Sequence, residues 1–121
     1  HVEDLQAFYR ACGSWLRPGG LVSHQIDFRS HGSSREWNGH WVYPDGVWRL
    51  IRGNRTYLLN REPCSTHLRL LTENGFQIVA EKRSLLVSRF ERSQLATRFR
   101  KMSEQDLTTA GIYVVGRKIK A

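Results

Sequence analysis

The chain has 121 residues, enough for one small domain or part of one, since autonomous domains run from roughly 50 to 250 residues. Its 40% hydrophobic and 11% aromatic content is that of an ordinary globular core, and no apolar run nears the ~20 residues a membrane-spanning helix requires. A net charge of +8 and a pI near 10.2 raise the question of an anionic partner, because clustered Lys and Arg displace counterions from phosphates. The clustering is modest. Arg89, Arg92, Arg98, Arg100 and Lys101 gather late, and Arg117, Lys118 and Lys120 close the chain, a pattern read first as a solvated face. A basic module binding RNA or another polyanion is the alternative reading.

The first element is a helix. Val2, Leu5, Phe8, Tyr9, Cys12, Trp15 and Leu16 recur at three- and four-residue spacing on one stripe, and Glu3 and Asp4 suit its N-terminal dipole. Pro18 cannot continue it and Gly19-Gly20 can take the positive φ of a turn, so a strand is expected at once, over Leu21 to Phe28. Alternation divides it into Val22, His24, Ile26 and Phe28 on one face and Leu21, Ser23, Gln25 and Asp27 on the other. That is more polar than a strand buried on both faces should be.

Residues 29–62 carry Gly32, Ser33, Ser34, Gly39 and Pro44 and read as a long functional insertion, with a short helix over Gly46 to Arg52. Their load of Trp37, Trp41 and Tyr43 would be costly to leave in water. Pro63 then begins a helix with Cys64, Leu68 and Leu71 inward, and Gly75 ends it. Phe76 to about Ala80 is the second strand, and Glu81 to Arg89 is an extended tail or connector. Leu95, Phe99 and Met102 predict a helical stripe, Ser103 with Asp106 a short capped helix stopped by Gly111, and Ile112 to Val115 the last strand before a basic tail over Gly116 to Ala121. Helix and strand alternate as in a doubly wound α/β sheet. The two cysteines, Cys12 and Cys64, fall at apolar helix positions as reduced thiols would, which points to a cytoplasmic setting.

The corners of this pattern resemble the C-terminal half of a class I S-adenosylmethionine-dependent methyltransferase. The resemblance rests on Leu16-Arg17-Pro18-Gly19-Gly20 before a strand, Ser23-His24-Gln25-Ile26-Asp27 within it, Asn60-Arg61 before the next helix, and Glu73-Asn74-Gly75-Phe76 at the following corner. The second and third of these are similar to a bacterial branch that acts on small molecules and sugars. The resemblance implies a Rossmann-like sheet of three strands in one partial domain spanning 1–121, the last strand antiparallel in the middle and helices on both faces. It also implies S-adenosylmethionine as donor, a small-molecule acceptor, and His1 at the cofactor edge. No Gly-x-Gly-x-Gly turn follows a first strand, and no acidic residue ends a second one to hold the ribose. A chain that opens on His1 is therefore expected to be a fragment that is inactive alone and that self-associates through the unpaired outer edge of Leu21 to Phe28.

Ligands in open α/β sheets bind outside the carboxyl ends of the strands, which singles out His24, Asp27 and His31 as catalytic candidates able to remove or orient an acceptor proton. Trp37 and Trp41 are expected to line the acceptor site as a mobile cover, and Asn60 and Arg61 to bind it. Against these stand a strand-end hydrogen-bond network, a packed loop, and Asn60 as a helix cap beside a surface Arg61. His24, His31 and His40 with Asp27 do not have the spacing of a zinc motif, and no metal is expected.

Overall fold

A computed structural model describes residues 2–55 and 58–119. Helix α1 (Leu5–Trp15) starts where Asp4 Oδ1 accepts the backbone N–H of Ala7 at 3.0 Å, and it buries Leu5, Tyr9 and Cys12. Trp15 stays on the same spacing but is 77% exposed, because the helix outruns the surface it covers. The Pro-Gly-Gly turn behaves as expected: Gly19 takes φ 87° and donates to the Lys118 carbonyl, which sets β1 (Leu21–Asp27) beside the end of the last strand. Helix α2 covers Asp45–Arg52, α3 Cys64–Glu73 and α4 Glu104–Thr108, with strands β2 (Phe76–Leu85) and β3 (Thr109–Lys118).

The sheet has the order β1-β3-β2, and β3 runs antiparallel to both neighbours. The last strand in sequence is thus central, as expected. Both β2 and β3 are longer than their apolar cores. Glu81 and Lys82 continue β2 because an edge strand can hold charged side chains toward water, whereas Arg83 turns inward and donates through Nη1 to Thr109 Oγ1 at 3.3 Å. Gly111 does not stop α4 but lies inside β3 opposite Asp27, where a Cβ would sit 3.2 Å from the Ile26 carbonyl oxygen. Gly116 to Lys118 are strand rather than tail. Lys118 is only 5% exposed, with its Nζ donating to the Asn74 carbonyl at 3.0 Å.

Pairing aligns Val22, His24 and Ile26 of β1 with Gly116, Val114 and Ile112 of β3 on one face. Helices α1 and α3 contact each other and cover this face, burying Val114, Phe76 and Leu71. The opposite face carries Leu21, Ser23, Gln25 and Asp27 with Lys82, Tyr113 and Arg117, all exposed. The expectation of helices on both faces is therefore corrected to one covered and one open face. Mostly polar side chains on the open side need no cover.

At the carboxyl ends of β1 and β2, residues 28–55, 58–62 and 86–103 close into a cap. Ala96 N–H donates to the Trp41 carbonyl at 3.0 Å, Trp37 Nε1 to the Val87 carbonyl at 2.9 Å, and Asn38 Nδ2 to Ser88 Oγ at 2.9 Å. Leu95, Phe99 and Met102 are buried here, yet their segment forms two 3₁₀ turns, Arg92–Gln94 and Thr97–Phe99, instead of the expected helix. Backbone donors spent on the other half of the cap are not free for an α-helical ladder. Ser103 caps α4 by accepting the Asp106 N–H, while the Asp106 carboxylate turns to Ser65 at the start of α3. Among the described residues no helix is long and apolar enough to cross a membrane.

Candidate functional site

Strand alternation decides which candidates can act together. His24 and Asp27 are three residues apart on β1 and so point to opposite faces. His24 packs between the rings of Phe8 and Tyr9, with centroids 5.6 and 5.8 Å away, and desolvation lowers its pKa. Asp27 instead holds Arg29 through both carboxylate oxygens, at 2.6 to 3.2 Å, and lies 3.5 Å from His31 Nε2. The Arg29 hydrogen bonds keep its carboxyl below the usual range. His31 reaches back because its own φ is 51°, a left-handed conformation uncommon outside glycine. Asp27 and His31 are thus brought together, and His24 is not.

Two histidines that the sequence pattern did not single out as site residues lie deeper. His67 on α3 is 6% exposed, sits 2.7 Å from the Tyr9 hydroxyl through Nδ1, and meets the Phe28 ring edge-on. Burial lowers its pKa to about 4 and pushes the Tyr9 phenol up. His40, in the 3₁₀ turn Gly39–Trp41, is 1% exposed and stacks against Trp41 at 4.7 Å. Burial first, and then Arg61, lower its pKa to about 3. The only signal for His67 was its place three residues after Cys64, on the buried side of α3.

These two depressed bases carry a stability prediction. In the unfolded chain each binds a proton below about pH 6.5, whereas in the folded chain each stays neutral down to about 4 or about 3. Their contribution is full above about pH 6.5 and is lost as pH falls toward 4, at about 1.4 kcal/mol per pH unit for each histidine. Urea unfolding should show a midpoint that drops clearly between about pH 7 and about pH 5. An unchanged midpoint over that interval would contradict the buried neutral pair.

The insertion residues pack into the cap. Trp41, expected as part of a cover, is fully buried and its Nε1 donates to the Arg61 carbonyl at 2.9 Å. Trp37 is half-buried, edge-on to Trp41 at 5.8 Å. Arg61 is not a surface residue: it is 2% exposed at φ 66°. Its Nη1 donates to the carbonyls of His40 and Tyr43, its Nη2 to Asp45 Oδ1 at 2.7 Å, and its guanidinium lies over the rings of Trp48 and Phe99. Asn60 is not the cap of α3, a place taken by Pro63. It bridges the Val2 carbonyl and the Glu62 N–H instead.

Among the described residues, concavities open near this region. A cleft of about 650 Å³ between the start of α1, α2 and α3 is lined by Arg49, Arg52, Arg69 and Arg98 with Glu3 and Glu62. A groove of about 680 Å³ on the open sheet face includes Gln25, Asp27, Lys82 and Tyr113. The third, about 50 Å³, lies at the carboxyl end of β1 between Asp27, Phe28, His40, Asn60, Arg61 and His67. His40 Nδ1 and Arg61 Nε have no hydrogen-bond partner. Each buried orphan of this kind costs about 1–3 kcal/mol.

Among the described residues no group of three or more His, Cys, Asp and Glu side chains could hold a metal ion. Cys12 and Cys64 are buried and free, and burial raises both thiols. Of the late basic cluster, Arg89 pairs with Glu36, Arg92 with Glu104, and Arg98 with Glu62 and Asp45. His1 lies outside the described residues. Comparison with known proteins finds no matching family model, no matching curated protein and no matching solved structure.

Proposed function

We propose that the chain is the acceptor-binding part of a class I S-adenosylmethionine-dependent methyltransferase, with a Rossmann-like sheet and a small-molecule acceptor. The observation that carries this reading is the order β1-β3-β2, with the last strand entering antiparallel between two strands that each follow a helix. The Pro-Gly-Gly entry to β1 supports it, and so does the gathering of Asp27, His31, His40 and Asn60 at the carboxyl end of that strand.

The residues present do not fit the cofactor. Gly19 and Gly20 join a helix to a strand, whereas a nucleoside site needs glycines that open a helix at a strand's carboxyl end. On this reading the donor is held by another part of the protein, and the present residues bind and orient the acceptor. On this reading Asp27 and His31 are the pair that takes its proton, the carboxylate lying 3.5 Å from the imidazole Nε2. The same reading gives the outer edge of β1 a fourth strand to pair with. In the isolated chain a second copy would take that place, so that light scattering would show mass rising with concentration. A monomer at every dilution would count against the open edge.

The test is methyl transfer by the product of the whole reading frame that encodes these residues, using methyl-labelled S-adenosylmethionine and a pool of small-molecule metabolites. Label should enter a small molecule. Replacing Asp27 and His31 by alanine should lower turnover, while Ser14→Ala, at the far end of α1, should not. Label entering RNA or protein, or no transfer at all, would overturn the proposal.

A further inference from the structure

We infer that the cleft of about 650 Å³ between the start of α1, α2 and α3 is a binding site for an organic carboxylate, whose anionic group pairs with Arg49 and whose apolar body meets Leu58 and Leu59. That this acid is the methyl acceptor rests on the methyltransferase reading; the binding itself does not. Asp45, Arg49 and Arg52 follow one another at four- and three-residue spacing on α2, which puts them on one stripe of that helix. Both ends of the stripe engage the other walls of the cleft. Asp45 Oδ1 pairs with Arg61 Nη2 at 2.7 Å and with Arg98 Nη1 at 3.4 Å, and Arg52 Nη2 pairs with Glu3 Oε1 at 2.7 Å. The stripe therefore faces the cleft, and Arg49 stands in its middle. Its guanidinium has no ion-pair or hydrogen-bond partner among the described residues.

Charge and surface then select the ligand. Every carboxylate that lines the cleft is already engaged: Glu3 with Arg52, Asp45 with Arg61 and Arg98, Glu62 with Arg98, and Asp4 with the Ala7 N–H at the start of α1. Arg69, on the α3 wall, pairs with Glu73, which does not line the cleft, and both are more than half exposed. The unmatched charge is thus positive and calls for an anion. A planar carboxylate fits a guanidinium fork through two parallel N–H···O bonds. A phosphate dianion is disfavoured, because its second charge would enter a cleft that Glu3 and Glu62 also line. Leu58, Leu59 and Leu70 supply an apolar wall, and the volume falls within the roughly 300–1,000 Å³ of small-molecule sites, which a bare inorganic anion would not fill. Leu59, Asn60, Arg61 and Glu62 line both this cleft and the small cavity at the carboxyl end of β1, where Asp27 lies. An acid anchored at Arg49 would extend along them toward Asp27.

The experiment uses the full 121-residue chain labelled with ¹⁵N at arginine and followed through the guanidinium Nε–H signals. Phenylacetate is the probe, and the comparisons are phenylethanol, of like shape without the charge, and inorganic phosphate. The expected result is a saturable shift at Arg49 Nε–H with phenylacetate, and an affinity lower by about tenfold or more for the other two. Arg49→Gln should reduce phenylacetate affinity about tenfold, whereas Arg35→Gln, the same loss of charge outside the cleft, should change it by less than about twofold. If Arg49→Gln fails to fold, the preference of the parent chain for phenylacetate over phenylethanol decides. No saturable shift, equal affinity for phenylethanol or phosphate, or equal losses from the two substitutions would overturn the inference. None of these readouts involves the methyl donor, so a failed carboxylate site and a failed methyltransferase reading are told apart.

Discussion

Replacing Arg61 by alanine is expected to destabilise the fold by about 3 kcal/mol or more. The side chain is only 1% exposed and satisfies the carbonyls of His40 and Tyr43 while stacking on Trp48 and Phe99. Truncation would leave two buried carbonyls unpaired and a hollow between two aromatic rings. Its ion pair contributes less, since Asp45 is 59% exposed and screened by water. Urea unfolding followed by tryptophan fluorescence checks the value, and Arg98→Ala provides the contrast. Arg98 is half-exposed and salt-bridged to Glu62, so its loss should cost under about 1 kcal/mol. Equal effects from the two substitutions would mean that Arg61 is not the staple of the cap.

Trp41→Ala is expected to cost about 3–5 kcal/mol, the range for truncating a large buried aromatic. Trp41 has no exposed surface and packs against His40, Trp37 and Phe99, and its main chain and indole tie residues 61 and 96 together. The cap should loosen as a unit, so protection of backbone amides around Ala96 should fall with it. Trp37→Ala should be milder, because that ring is only half-buried. If Trp41→Ala changed turnover in the complete protein and left stability intact, the residue would be a cover after all.

The elements that were legible in the sequence are those whose signal is local. Pro18-Gly19-Gly20 ends one periodicity and starts another within five residues, so α1, the turn and β1 could be read directly. The central position of β3 came from the family resemblance rather than from periodicity. The ends of β3 were misread because Gly111 and Gly116 are breakers in isolation and become strand residues only when both neighbours pair with them. Residues 92–102 share apolar spacing with a helix, but Trp41, some fifty positions earlier, takes the Ala96 donor and divides the segment into separate turns.

The candidate site divides the same way. Asp27 and His31 were placed together because their separation is short and the carboxyl end of a strand is a general binding position. His24 was grouped with them by proximity in sequence, although alternation along β1 already sends it to the other face. The burial of Arg61 and His40 could not be read, because it depends on Trp48, Phe99 and Trp41 closing over them from other parts of the chain. A charged side chain read one residue at a time is assigned to the surface.

The central claim is that these residues form the acceptor side of a methyltransferase and leave the cofactor to another part of the protein. Calorimetry with S-adenosylmethionine tests it most directly, on the 121-residue chain and on the product of its whole reading frame side by side. The account predicts no measurable heat of binding for the chain and one-to-one binding for the whole product. Tight one-to-one binding by the chain itself, or none by the whole product, would contradict it.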